Sequence, residues 1–93
     1  MVGRRNGLVT AERTLKALAN CRRLAILQFL HAKGPSSVGT IAEHIRLSFA
    51  ATSRHLRALA TAELVESEQV NTTVFYTLPK SKHSLLETTL AIL

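Results

Sequence analysis

Ninety-three residues give room for one domain, and an apolar content of 46% is ample for its core. Twelve Lys and Arg against six acids, all Glu, leave a net charge of +6, which favours a polyanionic partner, nucleic acid foremost, over a charge that serves solubility alone. No apolar run reaches the roughly 18 residues of a membrane span, MVGRRNGLVT lacks the apolar core of a secretory signal, and a single cysteine, Cys21, excludes an internal disulfide and fits a reducing cytoplasm.

Residues 1–9 hold two of the four glycines and an Arg-Arg pair, and are expected to form a flexible arm ahead of a domain over 10–93. Such an arm can reach phosphates, although a plain disordered tail is the simpler account. Thr10 is an N-cap candidate for a first helix running to about Ala19, with Leu15, Leu18 and Ala19 on one face. Asn20 interrupts that helix and can cap the next, Cys21 to about Lys33. Its Leu24, Ile26, Leu27, Phe29 and Leu30 surround most of its circumference, which marks a central core helix. Arg22 and Arg23 lie in its first turn against the macrodipole, so an anion should offset them: a phosphate or a carboxylate. Gly34-Pro35 ends the helix, and Ser36-Ser37-Val38 reads as a short extended link.

The stretch from Thr40 to Val65 predicts two helices joined by a tight bend. In the first, to about Arg46, Ile41, Ala42 and Ile45 point one way; Leu47 sits in the bend, and Ser48 is a natural cap for a helix from Phe49 to about Ala62. At about 100° per residue, Thr52, Leu56 and Leu59 share a narrow arc, while Phe49, Ala50, Ser53, Arg54 and Arg57 fall outside it, to the other side. Small and basic suits a helix whose backbone must approach a major groove; a solvated basic face is the plainer alternative. The period then changes. Residues 64–70 and 73–78 are rich in β-branched and aromatic side chains around Asn71-Thr72, which predicts a hairpin, a wing beside the helix-turn-helix. A last helix, about Ser81 to Ile92, presents Leu85, Leu86, Leu90, Ile92 and Leu93. Few polar residues cover these, which points to an interface. A chain this short buries only about 60–68% of its unfolded surface, so pairing through such helices would relieve a marginal monomer.

The segments LKALANCRRLAIL, SVGTIAEHIRLS, SRHLRALATAELVES and VFYTL, in that order and spacing, resemble the ArsR/SmtB type of winged-helix transcription repressor. The resemblance covers about residues 12–79 and is strongest in Ser53-Arg54-His55-Leu56 and Ala62-Glu63-Leu64-Val65. It implies a mainly α winged helix-turn-helix of order α-α-β-α-α-β-β-α, dimeric through its first and last helices, on double-stranded DNA bearing a pseudo-palindromic operator. It further implies that Ser48, Phe49, Ala50, Ser53 and Arg54 face the major groove and that Arg23 sits near a helix start; Arg57, Arg22 and Arg23 are the expected phosphate contacts. Four departures stand out. Arg46 occupies the bend where the family has Gly, which asks for a left-handed or altered backbone. Thr52 replaces an anchoring Val and needs a hydrogen bond if buried. Phe49 replaces a polar groove-facing residue; it can pack on a thymine methyl but not hydrogen-bond a base, and packing on its own domain is the alternative. The wing tip, Gln69 to Thr73, has no basic residue.

The region 36–38 has no thiol, so no cofactor or metal is expected there. His83 and Glu87, at i, i+4, could supply a metal pair doubled by a dimer, with a solvated surface pair the plainer account. Cys21, where the family commonly has Pro, reads either as redox-responsive or as a buried structural thiol. With no Asp, no glycine-rich phosphate loop and no nucleophile with a spaced base, an enzyme is not expected. A protein-interaction module docking an acidic partner is the other reading.

Overall fold

The computed structural model describes residues 2–93, with side chains from Gly7 onward. The order is α1 (Val2–Leu18), α2 (Cys21–Lys33), β1 (Ser36–Ser37), α3 (Val38–Ile45), α4 (Phe49–Thr61), β2 (Glu66–Val70), β3 (Thr73–Thr77) and α5 (Ser84–Ile92). The expected winged helix-turn-helix order is present throughout. Among the described residues no helix is long and apolar enough to cross a membrane.

Local chemistry sets the boundaries. Asn20 accepts from the amides of Arg22 (3.0 Å) and Arg23 (3.2 Å), satisfying two orphan donors of α2. Gly34 ends that helix at φ 80°, a conformation glycine adopts without steric cost. Ser37 caps α3 through the Thr40 amide, so the helix starts at Val38 rather than Thr40. Ser48 caps α4 through the Ala51 amide at 3.1 Å. Both α3 and α4 end with the same 6→1 and 5→2 bond pattern: Leu47 N donates to Ala42 O and Arg46 N to Glu43 O, then Leu64 N to Leu59 O and Glu63 N to Ala60 O. Arg46 (φ 57°) and Glu63 (φ 61°) are left-handed there. The bend therefore keeps the geometry a glycine would serve, with an arginine in its place.

Four expectations are corrected. The first helix begins at Val2, not Thr10: no proline interrupts residues 2–18, and Thr10 lies within the helix instead of capping it. Thus the backbone of residues 2–9 is helical, and the side chains of the Arg4-Arg5 pair lie outside the described residues. On α1 the inward side chains are Thr14, Ala17 and Leu18, whereas Leu15 is 52% exposed. Strand β2 starts at Glu66 because Leu64 and Val65 drop into the core first, turned inward after the left-handed Glu63. The last helix starts at Ser84, since His83 is still extended (φ −77°, ψ 165°).

The core is one cluster, led by Ile26, Leu27 and Leu30 of α2, Ile41 of α3, Leu56 and Leu59 of α4, Leu64 and Leu86. Each such side chain contributes about 1.5–3 kcal/mol relative to exposure. The sheet runs β1-β3-β2, antiparallel throughout, with Ser36 opposite Tyr76 and Val70 opposite Thr73 across the Asn71-Thr72 turn. It carries the wing out from α3, and β2 is solvent-exposed along its length.

Thr52 stands in this core with no exposed surface, and its Oγ1 has no hydrogen-bond partner. A buried hydroxyl without a partner costs about 1–3 kcal/mol. Thr52→Val should therefore raise the stability of the fold by about 1 kcal/mol in denaturant titration. A loss of stability would show that the hydroxyl is satisfied in solution.

Candidate nucleic-acid interface

Because Thr52, Leu56 and Leu59 are buried, the opposite face of α4 is turned outward. Phe49 is 61% exposed, so its own domain leaves most of the ring uncovered. Ser48, Ala50, Arg54 and Arg57 are exposed and Ser53 is half-buried. The first turn of α4 holds no acidic residue. Phe49, Ser53 and Arg57 also line a cleft of about 440 Å³ against Val38 and Gly39 of α3 and Tyr76 of β3. The wing tip residues Thr72 and Thr73 complete its rim, and Arg57 is its single charged lining residue. Helical periodicity brings these side chains to one face, and the fold places them there.

The arginines differ in how free they are. Among the described residues the salt bridge present is Lys16–Glu12 at 3.8 Å on α1, so Arg22, Arg54 and Arg57 have no carboxylate partner. Arg22 is exposed and donates Nη1 to the Ile45 carbonyl at 3.4 Å, joining α2 to the bend. Arg23 is half-buried and turned inward. Its Nε donates to His55 Nδ1 at 3.2 Å, and its Nη1 to the Ala17 carbonyl at 3.4 Å. The offset sought for this arginine at a helix start is thus an imidazole and a carbonyl, not a carboxylate. The link spans 32 residues, and no local spacing announces it.

Cys21 is exposed at the start of α2, so the buried-thiol expectation is corrected: as the first residue after the cap, it precedes the turn that enters the core. His83 and Glu87 are both exposed, and among the described residues no three His, Cys, Asp or Glu side chains converge. The wing tip is held by Gln69 Nε2 donating to the Asn71 carbonyl.

The Arg23–His55 bond requires a neutral imidazole. Burial, then the positive charges of Arg23, Arg54 and Arg22, push the His55 pKa below its ordinary 6.5. Between the folded value and 6.5 the unfolded chain binds more protons, so stability rises with pH across that window. The contribution is complete above about pH 6.5 and is lost as pH falls through the lower folded value. His55→Gln keeps an acceptor for Arg23 but cannot titrate. Its melting temperature should fall less than that of the wild type on going from pH 7.5 to pH 5. Parallel pH profiles would contradict the link.

A helix-turn-helix domain family model matches residues 18–68. The transcriptional activator HlyU of Vibrio cholerae serotype O1 is 43% identical over 68 residues, 73% of this chain and 62% of HlyU. The match therefore spans less than two thirds of that relative. The HTH-type transcriptional regulator Rv2034 of Mycobacterium tuberculosis is 38% identical over 79 residues, 85% of this chain and 73% of Rv2034. Among solved structures, the homodimeric winged helix-turn-helix DNA-binding domain of Mb0332 from Mycobacterium bovis, described as a possible ArsR-family regulator, superposes with a TM-score of 0.83. It is 30% identical, over 96% of this chain and 80% of that one. The matched residues include α2, the helix-turn-helix and its exposed basic helix; the chain belongs to the ArsR/SmtB-type family of winged helix-turn-helix transcription regulators.

Proposed function

We propose that the protein is a homodimeric, sequence-specific DNA-binding transcription regulator acting in the cytoplasm, and that it represses by occupying its operator. The observation that carries this reading is the outer face of α4, where two unpaired guanidinium groups stand beside small side chains and no carboxylate. Two copies would set their α4 helices into successive major grooves of a pseudo-palindromic operator, roughly 34–36 Å apart. Arg54 and Ser53 would read base edges, with Ser48 and Ala50 allowing close approach. Arg57 and Arg22 would neutralise phosphates, which position the dimer without specifying sequence. Arg23 would have to release His55 or Ala17 to join them.

Pairing through α1 and α5 is supported by their uncovered apolar side chains. Leu8 (68%), Val9 (58%) and Leu15 (52%) on α1, with Ile92 (79%) and Leu93 (44%) at the end of α5, are exposed in the single chain. Large exposed apolar surface of this kind marks an interface, and the Mb0332 domain is homodimeric. Repression is the simplest consequence of operator occupancy. The relative HlyU bears the name of an activator, so a promoter–reporter assay with and without the protein reads the sign. Family membership, rather than any missing group, sets the enzyme reading aside. A metal- or redox-responsive version of the same function would use His83 and Glu87, or the exposed Cys21.

Arg54→Ala should weaken binding to a duplex selected by the wild type by roughly 5- to 150-fold, and relax its sequence preference. Arg57→Ala should weaken all duplexes alike and reduce the log–log salt slope by about 0.9 for each phosphate left without its counter-charge. Fluorescence anisotropy at several salt concentrations measures both. Unchanged affinity and preference in Arg54→Ala would remove α4 from the interface.

A further inference from the structure

Phe49 is the first residue of α4 and stands largely in water, 61% exposed. It shares the outer face with Ala50, Ser53, Arg54 and Arg57, and helps to wall the cleft between α4 and the wing. An exposed phenyl ring at a helix tip gains free energy only when an apolar surface covers it. The surroundings say what kind of molecule brings that surface. Arg57 is the one charge on the cleft, Arg54 lies about one turn before it on the helix without a carboxylate partner, and the first turn of α4 holds no acid. The occupant is therefore anionic around an apolar point of contact. Double-stranded DNA, the partner proposed above, offers one such point in its major groove: the 5-methyl group of thymine.

The other bases are poor matches. Guanine, cytosine and adenine present ring nitrogens, carbonyl oxygens and amino groups there. A phenyl ring laid over these would strip their water and return no hydrogen bond. Residues at the N-terminal end of a recognition helix are also the ones that reach base edges. We infer that Phe49 makes the protein select a thymine at one position of each operator half-site, by packing its ring on the 5-methyl group. This rests on the DNA-binding reading and adds to it a base identity. Phe49 and Arg54 are five residues apart, about 7.5 Å along the helix axis and about 140° around it, so they address different base pairs. A half-site then carries a thymine and, at a separate position, a guanine suited to Arg54.

The test uses duplexes selected from a random pool by the wild-type protein. Each thymine is replaced in turn by deoxyuridine, which removes the methyl group and leaves base pairing intact. At one thymine per half-site, this replacement should weaken wild-type binding about fourfold, the worth of one buried methyl. Phe49→Ala should bind the thymine and deoxyuridine duplexes equally while keeping its preference at the guanine. Phe49→Leu, still apolar, should keep part of the discrimination. Because Phe49 is exposed, neither substitution should alter the melting temperature of the free protein, which is measured alongside. If the wild type discriminates at no thymine, or Phe49→Ala discriminates as well as the wild type, the thymine assignment falls while DNA binding stands. If the wild type selects and binds no duplex, both fall together.

Discussion

The face that α4 buries decides the face it offers. Thr52, Leu56 and Leu59 are fixed against α2 and α3, in a core built on Ile26, Leu27, Leu30 and Ile41. Sealing that arc turns Ala50, Ser53, Arg54 and Arg57 outward, while Phe49, only about 20° from Leu56 around the axis, is exposed because it stands at the tip of the helix. Any rotation of α4 about its axis would expose leucine and bury guanidinium, both at a cost of several kcal/mol. The face proposed for DNA is therefore specified by apolar packing on its far side, not by contacts among its own residues.

Polar chemistry then trims what packing leaves. The N-terminus of α2 carries two arginines where the macrodipole disfavours cations. One is offset by a neutral imidazole, reached from the middle of α4, and by the Ala17 carbonyl at the end of α1. Three helices are thereby tied by one guanidinium. Around α4 the fold also tolerates local costs: left-handed Arg46 before it, left-handed Glu63 after it, and an unpartnered Thr52 hydroxyl within it. A non-glycine left-handed residue costs about 1–2 kcal/mol. Local rules that break together in this way tend to cluster around functional elements.

Much of this is legible in the chain, for reasons that can be named. The limits of α2 follow from Asn20 and Gly34-Pro35, whose cap and stop chemistry is local. The hairpin follows from alternating β-branched residues around Asn71-Thr72, and the outer face of α4 from helical periodicity alone. What escapes is non-local or weakly encoded. The start of α1 carries no strong cap, so periodicity begins the helix at the first usable threonine, well inside it. Residue type alone would turn Leu15 and Cys21 inward, but each lies on a side of its helix that the rest of the single chain does not cover. The Arg23–His55 bond joins residues on different helices, where no spacing rule reaches. The left-handed bend at Arg46 is legible only because the family resemblance places a glycine there.

In the proposed complex, two copies present two α4 helices to one side of a duplex. Hydroxyl-radical footprinting of the protein on a selected operator, with the number of bound chains measured by sedimentation, tests it directly. The account predicts two chains per duplex and two dyad-related protected tracts, their centres about 10–10.5 base pairs apart. A single protected tract bound by one chain would contradict it.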